Sequence, residues 1–349
     1  MSIDILQGWT DAAEALRRGL PWLPALAEVA PTPHQVLDQR NKARLLRYRR
    51  ATAPRWRTPV LLVPSFINRA YILDLTRGFS LVQHLLDRGL DVFMIDWGVP
   101  GDEDRLIAFD DMIEPMLARA VRVTCRAAAI DRVAIVGYCM GGTLAICHAA
   151  LHPERIALLV NMLGPVDFEQ AGMLGDWTDP RRFDPDLLAD AYGNMPPLLM
   201  QYGFQMLRPL AALSKLVKSL GGELDPDAAR FFDALDRWSW DNIPFPGDAY
   251  RRYVRELYQR NALFRGTLQI RGRLVDPRRI RCPVLTLCAD QDHINPPAAA
   301  RALGSLLDPA TAYDEICIKG GHVSAVVGPR GQKELWPALS SWLERTLAI

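Results

Sequence analysis

Short, wholly apolar runs closed by prolines, glycines or acids punctuate the middle of the chain, and stretches with helical spacing separate them. Pro59-Val60-Leu61-Leu62-Val63-Pro64 is the first, followed by a loop at Ser65-Phe66-Ile67-Asn68. Asp91-Val92-Phe93-Met94-Ile95-Asp96, Arg132 to Val136 and Arg155 to Met162 repeat the form, with helical spacing around Ser80 to Arg88. Because successive positions inside these runs are apolar, Asn161 apart, rather than every second one, the pattern predicts strands buried on both faces. Such strands alternating with helices predict an α/β fold with a mostly parallel sheet covered on both sides.

From about Pro165 to Arg273 the pattern changes to Met, Leu, Trp and Tyr at helical spacing, with loops at Asp176 to Pro185 and Ile243 to Gly247. This segment reads as an inserted helical cap. Strand character resumes at Pro283 to Ala289 and Glu315 to Ile318, and an amphipathic helix at about Gln332 to Leu347 closes the chain. At the other end, residues 3 to 30 have helical spacing, Pro31-Thr32-Pro33 breaks it, and a basic stretch runs from Arg40 to Arg50. The reading there is helix, break, helix. The expected organisation is therefore an N-terminal helical segment (1–58), a first core part (59–164), a helical cap (165–275) and a second core part (276–349).

Composition narrows the function classes. Of 349 residues 49% are apolar, enough for a large core, and 41 Lys plus Arg nearly balance 40 Asp plus Glu. No whole-chain field then argues for nucleic acid or an anionic membrane surface. Charges interrupt the apolar residues of Met1 to Arg18, so no signal peptide is expected there, and no stretch is long and apolar enough to predict a membrane span. The six cysteines show neither zinc-type pairing nor disulfide density, which predicts free thiols and a cytoplasmic, reducing location. Cys125, Cys147, Cys282, Cys288 and Cys317 sit in apolar contexts and read as small core residues.

Cys139 differs from these. Val133 to Val136 leads into Gly137-Tyr138-Cys139-Met140-Gly141-Gly142 and then Thr143-Leu144-Ala145-Ile146, a strand, sharp turn and helix with Gly-x-nucleophile-x-Gly at the turn. This is the nucleophile elbow of an α/β-hydrolase fold, with Cys in place of Ser. The following helix N-terminus favours thiolate there. The fold orders its triad nucleophile, acid, histidine, and the two later strands end where the partners belong. Ala289-Asp290-Gln291-Asp292-His293-Ile294-Asn295-Pro296 offers the acid, with Asp292 preferred and Asp290 the alternative. Gly320-Gly321-His322-Val323 offers the base, His322. The oxyanion hole is expected from the backbone N–H of Met140 and a second N–H from the loop after the first strand, Ile67.

The motifs extend further than the elbow. Val63 to Leu75, Gly-Tyr-Cys-Met-Gly-Gly-Thr, Ala150-Leu151-His152-Pro153, Pro165-Val166-Asp167-Phe168, Ile243-Pro244-Phe245-Pro246-Gly247, Leu257-Tyr258-Gln259, Asp292-His293-Ile294 and Gly321-His322 together resemble polyhydroxyalkanoate synthases. The likeness is greatest to their short class III and class IV catalytic subunits and runs from about residue 60 to the last strand. Residues 1 to 59 carry no matching motif.

The resemblance places the family's triad on Cys139, Asp292 and His322. It implies polymerisation of (R)-3-hydroxyacyl-coenzyme A into polyester with coenzyme A released, the growing chain being held as a Cys139 thioester. Coenzyme A thioester is then substrate, and no cofactor or metal is expected. Also implied are a second synthase subunit, short-chain substrates and a place at polyester granules. A homo-oligomer is the remaining partner expectation. Hydrolysis competes with chain growth, so the cap should exclude water, and Leu198, Leu199, Met200, Phe204 and Met206 are candidates, with plain cap packing as their alternative.

Weaker signals are weighed alongside. His148 and His152 are spaced i, i+4 as metal ligands are, but no third ligand is evident in the sequence, and a helix C-terminus alone would attract His152. Arg40, Lys42, Arg44, Arg47, Arg49 and Arg50 read as a solvated helix face, with contact to coenzyme A phosphates as the alternative. The rival enzyme class is a Cys-dependent hydrolase of the dienelactone hydrolase or thioesterase type, since the elbow alone does not discriminate. The long cap and the Ile243 to Gly247 motif favour the synthase. A purely binding role is the third reading, and a complete triad argues against it.

Overall fold

The computed structural model describes residues 28–207 and 226–348, so the helix expected at residues 3 to 30 falls almost wholly outside the described residues. Eight strands form the central sheet: β1 (His34–Arg40), β2 (Ala43–Tyr48), β3 (Val60–Val63), β4 (Val92–Asp96), β5 (Val133–Tyr138), β6 (Ile156–Met162), β7 (Val284–Ala289) and β8 (Tyr313–Ile318). Their spatial order is β1-β2-β4-β3-β5-β6-β7-β8. β2 runs antiparallel to both β1 and β4, and every other pairing is parallel.

Strand alternation builds two cores from one sheet. Leu61, Val63, Phe93, Ile135 and Leu159 point into one, with helices α2 (Ala118–Ala128) and α3 (Met140–Leu151). Val60, Leu62, Met94, Val136 and Val160 point into the other, under α1 (Leu81–Asp87) and the C-terminal α8 (Trp336–Leu347). The all-apolar runs are thus explained by burial on both faces. The α1 helix begins at Ser80, whose hydroxyl accepts from the Gln83 N–H, supplying an acceptor for one of the helix's first donors.

Between β6 and β7 the chain makes short helices at Met173–Trp177 and α4 (Pro185–Tyr192), then α5 (Pro197–Met206), α6 (Pro226–Trp240) and α7 (Gly247–Tyr253). The expected loop at Ile243 to Gly247 contains a two-residue strand, Phe245–Pro246, paired with Asn194–Met195. Helix α5 buries none of its residues: Leu198, Leu199 and Met206 are exposed, and Met200 and Phe204 are half-buried. Of this group Met200 packs against the core, so the expected seal of apolar side chains is not formed by α5 among the described residues.

The basic stretch from Arg40 to Arg50 corrects the sequence reading. It is not a helix but the turn and second strand of a hairpin, with Arg40 opposite Ala43 and Asn41 in the left-handed region at φ 52°. Asn tolerates that conformation, and Asn41-Lys42 was the turn signal. Leu45 and Leu46 go to opposite cores, which a strand achieves and a helix face does not. Several of the basic side chains are held by carboxylates. Arg47 donates to Asp91 at 3.2 and 2.8 Å, Arg44 pairs with Asp96, and Lys42 pairs with Glu103 and Asp104. Cys317 is a smaller correction: it is exposed on the edge strand β8, whereas Cys125, Cys147, Cys282 and Cys288 are buried, and all six cysteines are free. No helix among the described residues is long and apolar enough to cross a membrane.

Candidate active site

β5 delivers the chain to Cys139 and α3 carries it away. Cys139 stands between them at φ 56°, ψ −129°, a conformation that L side chains rarely adopt. The turn is forced by close packing. A Cβ at Gly141 would lie 1.9 Å from the Val63 carbonyl oxygen, and one at Gly137 would lie 2.3 Å from that of Gly141. Glycine alone lets β3, β5 and α3 approach this closely. The Cys139 N–H donates to the Met162 carbonyl at 2.9 Å, fixing the elbow to the end of β6. Every residue of α3 is buried, so the half-buried Cys139 is presented at the tip of a rigid element.

His322 follows β8 on a loop shaped by Gly320, whose φ is +127°. Its Nδ1 lies 2.7 Å from Asp292 Oδ2, and both side chains are buried. The other oxygen, Oδ1, accepts from the N–H groups of Ile294 at 2.9 Å and Asn295 at 2.8 Å. Three bonds therefore fix the carboxylate and leave one orientation for the ring. Tyr138 stacks on that ring, with centroids 5.5 Å apart. Nε2 is buried and has no oxygen or nitrogen partner. Burial works against a charged imidazole, but Asp292 and then Cys139 outweigh it and hold the His322 pKa up at about 10.

Asp290, the alternative acid, is engaged elsewhere. Its Oδ1 accepts from the Gly320 N–H at 2.7 Å, joining the β7 and β8 loops beneath His322. Met140 is the first residue of α3, so its N–H has no acceptor within the helix. Ile67 lies on the loop after β3, and its N–H donates to Ser65 Oγ at 3.3 Å. Its carbonyl accepts from the Ile243 N–H at 3.2 Å, while Asn68 pairs with Asn242 and Trp238 Nε1 donates to the Arg69 carbonyl at 2.9 Å. The Ile243 to Gly247 motif thus begins by clamping this loop.

Sequence reasoning gave no role to Tyr138, Tyr253 or Tyr258. Burial, and then the Cys139 sulfur, push the Tyr258 hydroxyl well above its ordinary range. Tyr253 is held high by burial, then by Tyr258 and Cys139. Both phenols stay protonated, on the α7 segment and the turn that continues it, where Cys139 bears on them electrostatically. Their motif, Leu257-Tyr258-Gln259, was visible, but only the fold reveals what it faces.

At the far end of α3, His148 is buried and His152 caps the helix. Burial, then His152, Arg122 and Arg273, press the His148 pKa down to about 3, so its imidazole is neutral. The sequence offered no third ligand to this pair. The fold brings one: Glu114, whose carboxylate contacts His152 Nε2.

The family model for the alpha/beta hydrolase fold matches residues 58–329, and that for the poly-beta-hydroxybutyrate polymerase (PhaC) N-terminus matches residues 26–85. The chain is 34% identical to a Synechocystis sp. protein described as poly(3-hydroxyalkanoate) polymerase subunit PhaC, over 95% of this chain and 91% of that one. It is 33% identical to the Haloferax mediterranei protein of the same description over 90% of this chain, which spans 64% of that longer relative. Among solved structures, a putative lipase from Acinetobacter baumannii superposes with a TM-score of 0.54 at 17% identity, covering 96% of each chain. That likeness shows the fold alone.

Proposed function

The chain belongs to the poly(3-hydroxyalkanoate) polymerase family, acyl-transferring enzymes on the α/β-hydrolase fold, and on that premise we propose that it polymerises (R)-3-hydroxyacyl-coenzyme A through a covalent Cys139 thioester. One observation carries the reading. The His322 ring is held by Asp292 through Nδ1, while its Nε2 is buried without an oxygen or nitrogen partner and Cys139 bears on the ring.

In the first half-reaction Cys139 Sγ attacks the thioester carbonyl carbon with its proton already held on His322 Nε2, since that ring is charged at neutral pH. The carbonyl oxygen gains the electron pair, met by the Met140 N–H and by the Ile67 N–H, for which an oxyanion is a stronger acceptor than the Ser65 hydroxyl. Collapse breaks the carbon–sulfur bond to coenzyme A, which leaves with the proton from His322. In the second half-reaction the hydroxyl of another 3-hydroxyacyl group attacks the Cys139 thioester. His322 takes the hydroxyl proton and returns it to the departing sulfur, so each cycle adds one ester and regenerates the thiol. Exchange of one thioester for another is nearly isoenergetic, which holds the growing chain without trapping it.

The same reading makes coenzyme A thioester the substrate, with no cofactor. It adds a second synthase subunit as partner, a short-chain acyl preference and a location at polyester granules. The test is coenzyme A release from (R)-3-hydroxybutyryl-coenzyme A with product size analysed, wild type against Cys139→Ala, each with and without a candidate second subunit. Polymer that requires Cys139 is expected. Free 3-hydroxybutyrate as the sole product would replace this reading with a thioesterase.

A further inference from the structure

Helix α3 carries the nucleophile at its start and a second cluster of chemically capable side chains at its end. His148 and His152 lie i, i+4 on one face, with ring centroids 4.9 Å apart. Glu114, from the irregular turn of Met112–Leu117 that leads into α2, completes the cluster. One ligand atom from each of the three lies within 4.8 Å of the other two.

His148 gives the cluster its meaning. Its side chain is buried, and neither Nδ1 nor Nε2 has a hydrogen-bond partner. A buried imidazole with both nitrogens unsatisfied forfeits the hydrogen bonds that water would supply, so a native structure needs a reason to keep it. A metal ion supplies one, because neutral imidazole is its ligand form.

The surroundings fit as well. His152 presents Nε2 to Glu114, and its Nδ1 lies 3.6 Å from Glu154 Oε1. At that distance Glu154 acts on the ring by its charge and not by a hydrogen bond, which favours a cation at the cluster. Arg122 and Arg273 both bear electrostatically on His148, and Arg273 is engaged by the Leu151 carbonyl at 2.8 Å. Two carboxylates, Glu114 and Glu154, offset these cations. Glu114 and His152 are half-buried, which leaves an entry path from solvent.

We propose that Glu114, His148 and His152 bind a divalent transition-metal ion of the zinc type. Donors on one tetrahedral zinc sit roughly 3.3 Å apart, given metal–nitrogen distances of about 2.1 Å, so side-chain shifts of at most about 1.5 Å close the site. Water takes the fourth position. The ion ties the C-terminal end of the nucleophile helix to the segment entering α2 and is structural, since nothing routes the acyl transfer through it.

The test uses the full chain, stripped with chelator and titrated with Zn²⁺ against a chromophoric competitor. Wild type and Cys139→Ala should each bind one ion per chain with equal affinity. Zn²⁺ at about 100 times its Kd should raise the Tm by roughly 3–5 °C. Glu114→Gln, His152→Gln and His148→Gln should each weaken binding at least tenfold, and Glu154→Gln should also weaken it, by less. Because His148 is buried and its variant is the one most prone to misfold, the two half-buried ligands carry the test if it does. Co²⁺ substitution in the wild type should give visible bands without a thiolate charge-transfer band. Affinity unchanged in Glu114→Gln and His152→Gln would overturn the proposal. So would a thiolate band that disappears in Cys139→Ala, which would assign the ion to the nucleophile.

Discussion

Replacing Asp292 by Asn separates what this carboxylate does for the fold from what it does for the histidine. In the native protein Oδ1 accepts from two backbone amides and Oδ2 faces His322 Nδ1 at 2.7 Å. An Asn keeps the first role, since its Oδ1 can hold both amides, but then its Nδ2–H points at the ring. Nδ1 must accept, the imidazole proton moves to Nε2, and the nitrogen meant to receive the Cys139 proton no longer has a lone pair. The geometry stays while the tautomer is wrong, a change worth about 10³–10⁴ in kcat in triads of this type. Both amide bonds survive, so the Tm should fall only by what the His322–Asp292 attraction supplied, most at low pH and less as pH rises toward 10. Asp292→Ala should in addition strand the buried Asn295 amide, at about 1–3 kcal/mol, and free the half-buried Ile294 amide, which lowers the Tm further. The assay is the initial rate of coenzyme A release at saturating (R)-3-hydroxybutyryl-coenzyme A, run beside thermal unfolding of the same samples. A rate for Asp292→Asn within tenfold of wild type would refute the reasoning. An equal loss of kcat in a stably folded Asp290→Asn would refute it too, because that carboxylate serves the Gly320 amide.

Other outcomes follow from the same coordinates. The His322 pKa is raised from 6.5 to about 10, so the folded state holds a proton that the unfolded state loses. Its stabilisation is fully present below about pH 6.5 and is lost as pH rises toward 10, and a Tm-against-pH series should show this slope in wild type and a flatter one in Asp292→Asn. Gly141→Ala puts a Cβ 1.9 Å from the Val63 carbonyl, backbone against backbone, and should cost about 4 kcal/mol or more, read as loss of soluble protein or of cooperative unfolding. Arg47→Ala leaves the buried Asp91 with Arg50 at 3.4 Å as its remaining partner, which should cost about 1–3 kcal/mol in denaturant unfolding and leave KM within twofold. A KM rise without loss of stability would restore the phosphate-binding reading of that cluster.

Legibility in the sequence tracked how local the cause was. Strands β3 to β7 were readable because burial on both faces writes itself as an unbroken apolar run. The elbow was readable because a sharp turn between packed elements demands glycine at fixed offsets. The first hairpin was not. Several of its basic residues are paired with Asp91, Asp96, Glu103 and Asp104, carboxylates 44 to 62 positions away, and the sequence alone shows only like charges in a row. Glu114 was missed for the same reason, lying 34 positions from His148 with a strand and a helix between them. Asp290 and Asp292 stand two positions apart on one loop, and the two carboxylates separate clearly only when their hydrogen bonds are seen. The tyrosines beside Cys139 stood in a recognisable motif, yet which way they face is a property of the closed fold.

The clamp between the cap and the loop after β3 has a mechanical consequence. Ile67 donates its N–H to Ser65 Oγ and accepts from Ile243 at its C=O, so two successive amide planes hinged at its Cα join the loop after β3 to the insertion above it. A motion of residues 238–243 pulls first on the Ile67–Asn68 plane, and rotation about the hinge absorbs it before the Phe66–Ile67 plane that carries the N–H has to turn. On the proposed mechanism the oxyanion donor therefore outlasts a small lift of the cap over a lengthening product.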